Sequence, residues 1–225
     1  MNLKKTITFF FLFIGMIFYA QETEFEKPNY KKIKKQTFKK KSEFYYPKLM
    51  KRYLGADISM TIKDKRYLYY GFTFQKEYQP YAKSKEKPEI IKLLSNSEIT
   101  ETELKELVRL TKLHLINFPF DINMLNAQIY AYKKLKLKYD AFKVSNQVKT
   151  IKEVLLSSGD GIGQRTAFHV INTSHELEIL KMLGYEQSGI RTAINEFEYL
   201  RIKPNPKDIK GLYFNLSRGE EAINN

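Results

Sequence analysis

Hydrophobic and polar positions divide this chain into four stretches. The first is a nearly unbroken apolar run, Ile7 to Tyr19 (ITFFFLFIGMIFY), which follows Lys4 and Lys5 and precedes Ala20. The second, residues 21–43, has few apolar positions and many lysines. From residue 44 to 158 apolar residues return every three or four positions, the period of an amphipathic helix. From residue 159 to 225 short segments alternate with period two, as half-buried strands do.

The third stretch predicts a succession of helices. A short one covers Pro47 to Leu54 and ends at Gly55; the next runs from Thr61 to Gln75, with Tyr67, Tyr70 and Phe74 on one face. Pro80 and Pro88 bracket a polar connection, after which Glu89 to Leu94 is another short helix. Thr100 with Glu103 makes a capping box, in which each side chain satisfies a backbone donor of the first turn. Leu104, Leu107, Val108, Leu115 and Ile116 then form an apolar stripe as far as Pro119. Asp121 caps a helix carried by Leu125, Ile129, Tyr132 and Leu135. The last runs from about Asp140 through Ala141, Val144, Val148, Ile151 and Leu155 to Gly159. The two later helix pairs recur at roughly 34 to 37 residues, so residues 89–157 are similar to tetratricopeptide-like stacking, without that family's tryptophan.

The fourth stretch is mixed. Thr166 to Ile171 (TAFHVI) is rich in β-formers, and Thr173 with Glu176 reads as a second capping box opening a helix through Met182 to Gly184. Glu196 to Ile202 alternates as a strand; after the Pro204–Pro206 turn, Leu212, Phe214 and Leu216 put one apolar face on another. The expected fold class is α+β: an antiparallel helical-hairpin array, then a small, mostly antiparallel sheet packed on it as one globular unit.

The N-terminal run is too short to span a bilayer, which needs about 20 apolar residues. With its lysines and small residue it reads as a signal peptide over residues 1–20. The expected mature chain starts near Gln21 and is exported, to the periplasm or beyond. The absence of cysteine excludes disulfides, a lipoprotein anchor and thiolate chemistry. The formal net charge is +14, or two less once Lys4 and Lys5 leave. Residues 21–41 hold eight lysines against three glutamates. So lysine-dense a segment is expected to be a basic, flexible leader, able to touch an anionic envelope surface. Only seven of the 39 basic residues are arginines, the side chain suited to base readout, which argues against nucleic acid as a partner.

Three clusters are candidates for chemistry. Tyr67 to Tyr81 holds seven aromatics, of which Tyr69, Phe72 and Tyr78 lie off the helix stripe and are candidates for ligand contact. Ser158 to Gly163 (SGDGIG) allows close backbone approach, with Asp160 as its polar group; it lacks the Gly-Lys-Ser/Thr of a phosphate loop and the carboxylates of a calcium loop. His169, His175 and Glu176 are the residue types of general acid–base work, though their spacing matches no zinc motif, so neither a metal nor a cofactor is expected. His114, the third histidine, falls in a helix stripe.

Four phrases in order carry a resemblance: Tyr45–Tyr53 (YYPKLMKRY), Leu68–Tyr81 (LYYGFTFQKEYQPY), Gly159–Glu176 (GDGIGQRTAFHVINTSHE) and Gly211–Leu216 (GLYFNL). Over about residues 44–217 the chain resembles a family of uncharacterised, signal-peptide-bearing bacterial proteins, domain of unknown function 4919. That resemblance implies no reaction, cofactor or partner. The expected function is therefore a non-enzymatic interaction module that presents a helical groove to a protein, peptide or glycan. The alternatives are a hydrolase-like enzyme using His169, His175 and Glu176 near the Gly159–Gly163 turn, and an envelope-associated structural protein.

Overall fold

The computed structural model describes residues 25–79 and 81–216. The expected signal peptide, residues 1–20, lies outside them. Eight α-helices are present among the described residues: α1 (Tyr30–Phe38), α2 (Tyr46–Leu54), α3 (Ile62–Gly71), α4 (Lys87–Leu94), α5 (Glu101–Asn117), α6 (Ile122–Lys134), α7 (Lys138–Leu156) and α8 (Ser174–Met182). Four strands accompany them: β1 (Phe168–His169), β2 (Gln187–Ile194), β3 (Phe197–Ile202) and β4 (Gly211–Asn215). The fold is α+β, as expected.

Local chemistry explains most helix starts. Thr100 and Glu103 close the capping box in front of α5, and Thr61 and Asp64 close another in front of α3. Asp121 accepts the N–H groups of Asn123 and Met124 at the head of α6. The helix expected to reach Gln75 stops sooner, giving way after Gly71 to a single 3-10 turn, Phe72–Phe74.

The lysine-rich leader is corrected from residue 25 onward. Residues 30–38 are helical, with Asn29 as the cap and one side chain per turn facing inward. Ile33 and Thr37 are buried against α3, and Tyr30 meets Tyr70 edge-on at 5.9 Å. The lysines occupy the outer faces. A stripe this narrow leaves the segment polar on average, which is why composition alone reads it as unfolded.

Helix α3 lies at the centre, packed on α1, α2 and α7. Residues 66–71 are all buried, the burial expected of a helix surrounded on every side. Helices α4 to α7 are successive neighbours, as a hairpin array requires, and a second apolar cluster of Ile90, Leu107 and Ala131 sits between α4, α5 and α6. Helix α3 packs on α1, α2 and α7 rather than on its successor α4, so the array does not extend through the N-terminal helices.

The sheet order is β1-β4-β3-β2. Strands β2, β3 and β4 are antiparallel, with Leu200 opposite Leu212; β1 joins β4 in parallel, with Phe168 opposite Phe214. Leu200, Leu212 and Phe214 are fully buried and tie the sheet to the main core. Two details differ from the sequence reading. Only Phe168–His169 of the β-rich segment pairs as a strand. Strand β2 was not expected, because this edge strand is exposed along almost its whole length and so carries no alternation.

Candidate functional site

His175 stands in the first turn of α8 and is 2% exposed. Its Nε2 lies 2.9 Å from the Phe120 carbonyl, which can only accept, so Nε2 carries the proton and donates. Nδ1, 2.6 Å from the Tyr69 hydroxyl, then accepts from it. That hydroxyl in turn accepts the Ile171 N–H at 3.2 Å. Every hydrogen-bonding position of the imidazole is used, and burial pushes its pKa down. The cavity that His175 borders, with Phe72, Tyr78 and Asp121, is about 40 Å3. Such a space holds water; ligand sites run to several hundred Å3.

His169 and Glu176 go elsewhere. The His169 imidazole is buried at β1 and its pKa is pushed down to about 4, by burial first and then by the charges of Lys27 and Arg66. The backbone N–H of His169 donates to the Ser158 hydroxyl and its backbone carbonyl accepts from the Tyr70 hydroxyl, while the imidazole Nδ1 is buried without a hydrogen-bond partner. Glu176 makes no capping box: the Thr173 side chain caps nothing. Instead the Glu176 carboxyl turns inward to Arg191 of β2 at 2.8 Å, and Arg191 reaches Glu198 of β3 at 2.9 Å. The β2–β3 hairpin supplies these partners. Burial and the neighbouring Glu198 raise the Glu176 pKa well above the usual carboxyl range. Among the described residues no hydrogen bond or ion pair links His169, His175 and Glu176 to one another.

The aromatic candidates are core. Tyr69 is spent on His175, Phe72 packs edge-on against Tyr78 and Phe120, and the Tyr78 hydroxyl donates to the Ile171 carbonyl. Asp160 accepts from Ile162 N–H and the Thr166 hydroxyl, closing its own turn. The glycines there serve packing. A Cβ on Gly159 would come 2.1 Å from the Thr166 carbonyl oxygen, and Gly161 adopts φ +72° beneath the Phe168 ring.

One constellation was missed. His114, in the last turn of α5, has Nε2 3.1 Å from an Asp121 oxygen and Nδ1 2.8 Å from the Ser84 hydroxyl. The residue types are those of a nucleophilic triad, separated by 30 and 7 positions that no sequence motif connects. The serine oxygen, however, lies 2.8 Å from the Glu86 carboxylate and accepts the Glu86 N–H. A carboxylate there would repel a developing oxyanion, where such chemistry needs donors. The chain of bonds joins the approach to α4, the end of α5 and the start of α6.

The large concavity is a groove of about 930 Å3 between α2, α5, α6 and α7. Met50, Leu54, Ile116, Leu125, Tyr132 and Val144 contribute apolar walls. Phe72 is the one sequence-predicted ligand residue that reaches it. The Tyr46 hydroxyl, also in its lining, is buried without a hydrogen-bond partner. The groove could not be read from the sequence because its walls come from four helices spread over a hundred residues.

Among the described residues no group of three or more His, Cys, Asp or Glu side chains is placed to hold a metal ion, and no helix is long and apolar enough to cross a membrane. Neither curated proteins nor solved structures include a match to this chain. A family model does match, from residue 31 within α1 to residue 225, and so takes in the N-terminal helix that the four phrases left out. The chain belongs to the family Domain of unknown function (DUF4919).

Proposed function

We propose that this protein is a non-enzymatic interaction module and that the groove between α2, α5, α6 and α7 is its binding surface. The observation that carries the reading is the groove itself. At about 930 Å3 it is large enough for a ligand, while the cavity beside His175 is not. Its apolar walls supply the driving force for association, and the polar groups among them supply orientation. The N-terminal twenty residues support export, so the ligand would be met outside the cytoplasm.

The hydrolase-like alternative draws no support from the geometry of His169, His175 and Glu176: His175 is committed to Tyr69 and Phe120, Glu176 to Arg191, and the buried His169 imidazole meets neither of them. The test is to screen the purified protein against arrays of peptides and of glycans, beside an Ile116→Asp variant. Ile116 is 68% exposed on the rim, so the variant keeps the fold while placing a charge on the apolar wall. Binders that fall away in the variant are the expected result. Binders indifferent to Ile116→Asp, or none on either array, would overturn the proposal.

A further inference from the structure

We infer that the groove takes an extended peptide segment in which carboxylate and aliphatic side chains alternate, an inference that rests on the interaction-module reading above. Three lysines line the groove, each from a different helix: Lys51 of α2, Lys112 of α5 and Lys143 of α7. Among the described residues none of the three pairs with a carboxylate. The two acids of the lining already have compensating charge. Glu77 has Lys76 at 3.8 Å, and Asp140 sits in the first turn of α7, where the free N–H groups favour negative charge. Lys112 and Lys143 lie over the Tyr132 and Tyr139 rings, at 5.9 and 5.7 Å, and Lys51 stands in the last turn of α2, so the charge without a carboxylate counterpart is positive and spread over three walls.

Each of two walls also sets an exposed aliphatic beside its lysine. Leu54 follows Lys51 by three residues and Ile116 follows Lys112 by four, spacings that share a helix face. A complementary ligand needs negative and aliphatic groups in turn. A single-headed fatty acid would meet one lysine and leave two. A sugar would need an open aromatic face, but Tyr53, Phe72 and Tyr132 are buried. The Tyr46 hydroxyl is the remaining clue: more than nine-tenths buried in the lining and without a partner, it can donate to a peptide carbonyl. Main chain, carboxylates and aliphatics then each have a counterpart.

The probe is a fluorescein-labelled ten-residue peptide alternating glutamate and leucine, with the glutamine–leucine peptide as its neutral equal, titrated at low salt by anisotropy. The acidic peptide is expected to bind, and to weaken about tenfold on the K51Q/K112Q/K143Q protein, as three exposed ion pairs would give. The neutral peptide should bind the unmodified protein correspondingly less well. A control protein, K133Q/K181Q/K207Q, loses the same charge outside the groove and should bind as the parent does. Equal loss in the control would mean attraction to the whole basic molecule and would overturn the inference. Equal binding of the two peptides, each lost in Ile116→Asp, would sink the acidic class while leaving the interaction module standing. Neither peptide binding, with anionic phosphatidylglycerol vesicles captured through the three groove lysines, would replace the peptide with a lipid surface and overturn it too.

Discussion

At the scale of single residues, His175 is a structural knot. It joins α8 to α3 through Tyr69 and to the turn before α6 through the Phe120 carbonyl, all within the buried core. Replacing it by alanine orphans that carbonyl and removes the acceptor of the tyrosine hydroxyl. At about 1–3 kcal/mol for each buried group left unpaired, His175→Ala should cost about 2–6 kcal/mol, measured by urea unfolding. Unchanged stability would contradict the bonds from His175 to Tyr69 and Phe120. His175 and Glu176 are adjacent, and in sequence they look like an acid–base pair. Neighbours on a helix point about 100° apart, so the imidazole reaches Tyr69 while the carboxyl reaches Arg191. The residue types were legible; the directions were set by what each helix face met.

Among the elements, α1 carries the clearest consequence. Residues 25–29 are pinned as well: the Arg66 guanidinium donates to the Glu26 carbonyl, and the Glu26 N–H donates to Ser157. A chain beginning at Ser42 would expose the faces of α3 that α1 covers, so its thermal midpoint should fall well below that of the full chain. Ile33→Ala tests the same docking more gently. Ile33 is 4% exposed, and its truncation should cost about 2–4 kcal/mol by denaturant titration. A loss near zero would return the segment to the status of a loose arm. The capping signals at Thr100 and Asp121 were readable because they act within four residues. Helix α1 and strand β2 were not, since one is stabilised by a narrow stripe against α3 and the other by pairing with β3.

For the whole molecule, buried ionisable groups set the response to pH. Glu176 has a raised pKa, so the folded state keeps a proton that the unfolded chain releases above the ordinary glutamate range. Its contribution is present at low pH and is lost as pH rises. His169 and His175 have lowered pKa values, so the unfolded chain takes up protons first as pH falls below about 6.5, and stability is lost on that side. The two limbs predict a stability maximum near pH 6.5. Urea midpoints across the range should decline on the alkaline side, and Glu176→Gln, which mimics the protonated form, should flatten that decline while leaving the acid limb. A decline unchanged in Glu176→Gln would show that the proton resides elsewhere. The sequence by itself determined the α+β class, the helix starts at Thr100 and Asp121, a strand over Glu196 to Ile202 and another carried by Leu212, Phe214 and Leu216, close to the β3 and β4 observed, and the family. Each of these rests on periodicity, capping or wording that acts within a short reach of chain. Only the tertiary structure decided that the lysine-rich segment folds, that Glu176 pairs with Arg191, and that His114 joins Ser84 and Asp121. It alone assembled the groove with its three lysines, because these depend on contacts between residues far apart in sequence, whose partners are chosen by how the helices pack.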